Sequence, residues 1–277
     1  MTYRIVSDSS CDVHSLAGIA FSSVPLRIVT EQKSYVDDET MDAEAMVEEL
    51  LRYKGKSSTA CPNVTDWMDA FGEAEAVFAL TITSALSGSH NAAMCAKADY
   101  EAAHPDRRAH VIDTLSTGPE IVLLMEKLRE LVNAGLGFEE IISAITDYQK
   151  KTKLLFLLSS IRNLARNGRV SRIGAEAVGL LGIRIYGQAS SEGKLDILGK
   201  CRGEQTALAR LASQMERLGW RGGPVRIAHC LSAAGAQALK MLLLERQPRT
   251  EVQVYPTGGL CSFYAEKGGI MVGFETA

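Results

Sequence analysis

The stretch Ala76–Ala103, "AVFALTITSALSGSHNAAMCAKADYEAA", decides the fold. "AVFALTIT" is a continuous apolar run of strand length and reads as a buried strand. It ends abruptly at "SALSGSH", Ser84–His90, and "NAAMCAKADYEAA" after it reads as a helix. A buried strand that feeds a helix through a short corner is the unit of a parallel sheet covered by helices.

The same alternation continues on both sides. "YRIVSD" and "AHVIDT" are further short strands, and "DAEAMVEELLRY" is a helix with Asp42 as its cap and Met46, Leu50 and Leu51 along one face. "TDWMDAFGEAE" is a second helix, with Thr65 placed to cap it. "GPEIVLLMEKLRELVNAG" is strongly amphipathic, with Pro119 in its first turn and Gly135 past its end. Beyond Lys151 the pattern mixes hairpin and crossover connections. "KLLFLLSS", "IRIYGQ", "LDILGKC", "PVRIAHC", "EVQVYP" and "GIMVGFE" are strands, "SSEGK" is a hairpin turn, and "GEQTALARLASQMERLG" and "AAGAQALKMLLLERQ" are helices. The expectation is two α/β domains: residues 1–151 with a parallel sheet covered by helices, and residues 152–277 with a mixed sheet.

Length and composition exclude several classes. The 277 residues carry a net charge of −3, which gives no broad basic field for nucleic acid. The apolar runs are too short to span a bilayer, so no stable membrane insertion is expected. The opening runs straight into a strand, and a cytoplasmic protein is expected. Six cysteines are scattered without a Cys-x-x-Cys pair, so reduced thiols are expected and a metal site is not.

In a parallel sheet of this kind ligands bind beyond the carboxyl ends of the strands. Three hydroxyl-rich corners lie there: "SDSSCD", "SALSGSH" and "DTLSTG". At "SALSGSH" a helix start offers unpaired N–H groups, Ser87 and Ser89 add hydroxyls, and Gly88 allows close approach. A plain N-cap needs only one such hydroxyl. The corner lacks the lysine of a phosphate-binding loop and the second glycine of a nucleophile elbow. "KSSTACPNVTDW" is a second cluster, a stiff loop ahead of Pro62. "RNLARNGRVSRIG" places Arg166, Arg169 and Arg172 around an Asn-Gly turn, either as a solvated rim or to pair with an acidic group or phosphate.

Taken in order, these segments resemble the DegV family of bacterial fatty-acid-binding proteins. "IVSDSSCDV" looks like the family's opening Asp-Ser-Thr motif, and "SSTACPNVTDWMDAF" is similar to its Thr-Ser-x-Pro motif and following helix. "TITSALSGSHNAA" resembles Ser-x-x-Leu-Ser-Gly-Thr, and "HVIDTLSTG" and "IRNLARNGRVS" resemble the next two motifs. The resemblance implies a two-domain α/β fold and one long-chain fatty acid in a buried tunnel, with no cofactor besides that ligand. It implies a carboxylate held by Thr59 and Ser87, with Gly88 and Ser89 in support, and Ser9, Cys61, Thr114 and Tyr264 as further lining residues. It also implies an ATP-dependent fatty-acid kinase as partner, which phosphorylates the presented carboxylate, with Arg169 and Arg202 facing the kinase or the acyl phosphate. The chain itself would be a carrier with no catalytic residue. "GPEIVLLM" and "AVGLLGI" are candidate tunnel walls.

The pattern departs in two places. Asn167 replaces the first glycine of one motif. The C-terminal Gly-Thr-His-x-Gly-Pro-Gly motif is absent, with Tyr264 or Ala265 near the place of its histidine, which weakens the implied kinase coupling. The alternatives are a small-molecule hydrolase or phosphotransferase built on the same corners, and a lipid-responsive sensor. An enzyme of that kind needs an activated nucleophile with a positioned base.

Overall fold

The computed structural model describes residues 1–170 and 182–277. The first sheet is parallel throughout, in the order β2-β1-β6-β7, from β1 (Tyr3–Asp8), β2 (Ala20–Val24), β6 (Ala76–Thr81) and β7 (Arg108–Asp113). Every residue of β6 is buried, as expected of a central strand covered on both faces. On one face lie α2 (Val64–Phe71) and α3 (Ser89–Ala103), which enclose Trp67, Phe71 and Tyr100. On the other lie α4 (Pro119–Asn133) and α5 (Phe138–Gln149).

A small antiparallel sheet, β4-β3-β5, is inserted between β2 and β6, from β3 (Arg27–Thr30), β4 (Ser34–Val36) and β5 (Ser57–Ala60). The expected stiff loop at "SSTA" is therefore a strand. Its hydroxyl side chains carry no apolar alternation, so only pairing with β3 identifies it. Asp42 caps α1 (Ala43–Arg52) as expected, accepting from Ala45 N at 2.9 Å. The cap of α2 is Asn63 rather than Thr65: Asn63 accepts from Asp66 N, and Asp66 accepts from Asn63 N, closing a reciprocal capping box.

The second sheet is mixed, in the order β10-β9-β8-β13-β11-β12. It comprises β8 (Thr152–Leu158), β9 (Ile183–Ala189), β10 (Leu195–Arg202), β11 (Val225–His229), β12 (Val252–Pro256) and β13 (Ile270–Glu275). Among the described residues, only the β11–β12 pair of this sheet is parallel. Alternate residues of β8 serve different cores. Leu155 and Leu157 pack under α7 (Glu204–Arg217) and α8 (Ala233–Arg246), while Leu154, Phe156 and Leu158 face the N-terminal half. That second face also receives α6 (Arg162–Arg166) and α9 (Gly259–Ala265).

Helix α4 joins the two sheets. Pro119 through Met125 are buried without a break, so its first half is enclosed all round rather than amphipathic. Its start lies directly on β13: a Cβ at Gly273 would sit 2.5 Å from Glu120 N. Farther along, Arg226 of β11, almost fully buried, pairs with Glu126 of α4 at 2.7 Å and with Glu251 at 2.9 Å. Among the described residues no helix is long and apolar enough to cross a membrane.

Candidate functional site

A cavity of about 310 Å³ lies between the corner after β6, strand β5, helix α9 and the inward face of β8. Leu154, Phe156 and Leu158 of β8 form one wall, with Met271 beside Phe156 in register on β13. The ring of Phe156 crosses its neighbour β9 at Gly187, where an added Cβ would approach it to 2.3 Å. Only glycine leaves room for that ring. Leu26, Ile82 and Leu260 close the opposite side. Such a lining, apolar with a few convergent polar groups, is the usual character of a small-molecule site.

Most of the polar groups gather at one end; Thr117 lies apart from them, its hydroxyl against Cys261 Sγ at 3.5 Å. Thr59 Oγ1 and Tyr264 Oη share a hydrogen bond of 2.8 Å across 205 residues of sequence. Ser87 and Gly88 face them from the corner, and a side chain at Gly88 would come within 3.2 Å of Cys61 Sγ. Arg169, in the turn after α6, also lines the cavity, and its Nε donates to Leu86 O at 3.3 Å. Burial raises the Tyr264 phenol above its ordinary range, opposed by the Thr59 hydrogen bond and the Arg169 charge. Arg169 is the one cation among the described lining residues, and no His, Asp or Glu is among them.

Of the residues singled out in the sequence, Thr59, Cys61, Ser87, Gly88, Arg169 and Tyr264 are thus brought together. Ser89 is not. It is fully buried and its hydroxyl donates to Asp8 at 2.6 Å, away from the cavity. Ser9 is likewise buried, its hydroxyl accepting from Leu26 N at 3.0 Å. Thr114 donates to Thr81 O at 2.7 Å and faces a different space. Arg202 ends β10, exposed and off the cavity. Arg169 stands on the cavity wall rather than on an outer surface alone. The segment "GPEIVLLM" is core between the sheets, not tunnel wall. Arg172 and residues 177–181 of "AVGLLGI" lie outside the described residues. His90 pairs with Thr81 at 3.3 Å, and His229 is not among the described lining residues.

Three buried aspartates, which the sequence reading passed over, hold these parts in place. Asp8, at the end of β1, accepts from Ser10 Oγ at 2.5 Å, Ser89 Oγ at 2.6 Å and Ile82 N at 3.0 Å, and so pins the corner to the sheet. Asp37 accepts from Gly259 N at 2.5 Å and Leu260 N at 2.9 Å, and Asp12 accepts from Gly258 N at 2.8 Å. Helix α9, which carries Tyr264, is therefore anchored at its start by the carboxyl groups of Asp12 and Asp37 from the N-terminal half. Burial raises the carboxyl groups of all three; at Asp12 the Asp37 charge adds to it. Position was the available signal: Asp8 and Asp12 sit in "SDSSCD", at the carboxyl end of a strand beside the corner.

The model of the DegV family matches residues 2–276. A DegV domain-containing protein of Streptococcus pneumoniae is 43% identical over 99% of both chains. A crystal structure of a DegV family protein from Eubacterium eligens loaded with heptadecanoic acid superposes with a TM-score of 0.98, at 42% identity and full coverage of both chains. The Streptococcus pneumoniae fatty acid kinase (Fak) B3 protein loaded with linoleic acid gives 0.97, at 42% identity and full coverage of both.

Proposed function

The chain belongs to the DegV family, and from that membership we propose that it is a carrier of one long-chain fatty acid. The acyl chain lies in the cavity along β8, and the carboxylate lies at the end formed by Thr59, Ser87, Gly88, Tyr264 and Arg169. The carrying observation is the sorting of the lining. Three of the four lining hydroxyls, Thr59, Ser87 and Tyr264, gather with the single described cation at one end, and apart from Thr117 and Cys261 the rest is mainly leucine, phenylalanine and methionine. An amphiphile with one acidic head fits that sorting, and a wholly polar substrate does not.

The energetics agree. Hydrogen bonds from hydroxyl and guanidinium groups to a carboxylate are charge-assisted and offset its loss of water. At about 0.8 kcal/mol per buried CH₂, a long chain contributes on the order of 10 kcal/mol before the losses of association are counted. Affinity thus resides in the tail and orientation in the head. Acyl-phosphate formation belongs to a separate ATP-dependent kinase, to which the carboxylate end is presented. The exposed Arg202 is a partner contact in this reading.

Native mass spectrometry of the purified protein, followed by solvent extraction, tests the proposal. A carboxylic acid near one per chain is expected. A lipid-free protein that takes up no added long-chain acid would end the carrier reading and leave the polar end as a site for a small anion.

A further inference from the structure

Leu154 lines two cavities at once. Beyond it lies a wider space of about 710 Å³, bounded by residues 113–120, α5 and the β9–β10 turn. We infer that Leu154 is the end wall of the acyl site and sets the longest chain the protein accepts. The inference rests on the carrier reading.

Three separate segments change over at this level. Along β8, Leu158 and Phe156 face the first cavity, Leu154 faces both, and Thr152, next on the same face, faces only the second. On the hairpin, Leu195 lines the first cavity, whereas its register partner Ala189 and the following Ser190 line the second. Ahead of α4, Thr117 belongs to the first and Thr114 to the second. None of the groups assigned to the carboxylate lines the second space, so the wall stands at the methyl end.

The chemistry also changes there. Just past Leu154, the buried Glu120 accepts from Thr152 Oγ1 at 2.8 Å and from Ser116 Oγ at 2.5 Å. A methyl end gains little by approaching a satisfied carboxyl, but it gains for each CH₂ that enters room vacated by the leucine. A smaller residue at 154 therefore admits longer acids, and a larger one excludes them.

The test is competition for the full-length protein among saturated acids from myristate to behenate, read by native mass spectrometry. Leu154→Ala should move the preference about tenfold toward an acid two carbons longer. Leu154→Val should move it less in the same direction, and Leu154→Phe should move it toward shorter acids. If the alanine variant fails to fold, the valine and phenylalanine variants carry the test. Acid bound in unchanged proportions by every folded variant overturns the wall and leaves the carrier reading intact. Uptake of no acid by the unsubstituted protein overturns both.

Discussion

At the polar end of the cavity, Thr59, Ser87, Arg169 and Tyr264 come from four segments spread over more than two hundred residues. Along its length, Leu154, Phe156 and Leu158 come from one strand, spaced by the two-residue period of a pleat. The strand needs only its register to present that face. The polar end needs long-range anchors, and Asp8, Asp12 and Asp37 supply them. A site can therefore take its affinity from local regularity and its orientation from distant contacts, and substitutions should separate the two.

The largest effect is expected on the strand. Phe156→Ala removes a buried ring for which Gly187 has left space, and should lower stability by about 3–5 kcal/mol in denaturant unfolding. A loss below 1 kcal/mol would mean that the wall collapses to fill the gap, and that the face is less specific than drawn. Next comes the head. Arg169→Ala should weaken fatty-acid binding by about 1.5–3 kcal/mol, roughly 10- to 100-fold, with little change in chain-length preference. Retention of full affinity would return Arg169 to the partner surface.

The smallest effect concerns an anchor. Burial, with the Asp37 charge beside it, holds the Asp12 carboxyl well above its ordinary range. Folding then favours its protonated form. Its contribution to stability is complete below the ordinary carboxylate value and is lost as pH rises through the raised folded value. Asn tolerates the left-handed φ of 63° at this position, so Asp12→Asn keeps the turn and removes the titration. The urea midpoint of the variant should fall less than that of the parent as pH rises above the ordinary carboxylate range. A parent–variant difference that stays constant over that rise would contradict the assignment.

Much of this was legible in the chain. The buried strand β6, its corner and α3 follow from one apolar run and one helical pattern. The hydroxyl corners and the family resemblance together single out Thr59, Ser87 and Gly88, and the fold brings them to one cavity. The anchors were not reached, because a buried aspartate looks like a turn residue until its distant N–H donors are known. Ser89 hides its role for the same reason: its hydroxyl satisfies Asp8, 81 residues away. Strand β5 and the cap at Asn63 were missed because local composition gives Thr and Ser several equivalent roles. In "GPEIVLLM", unbroken apolarity marks a helix enclosed by two sheets rather than a surface facing a void.

That enclosed helix governs how a cargo can leave. α4 is packed on one side into the parallel sheet and on the other against Gly273 and the Arg226–Glu126 pair. Parting the two halves like a clamshell would expose an apolar core and strand a buried charge, both costly. On the carrier reading, exchange of the acid is expected to proceed by small local openings around the cavity. Its dissociation rate should then follow the fluctuations of a few loop residues rather than the stability of the whole chain.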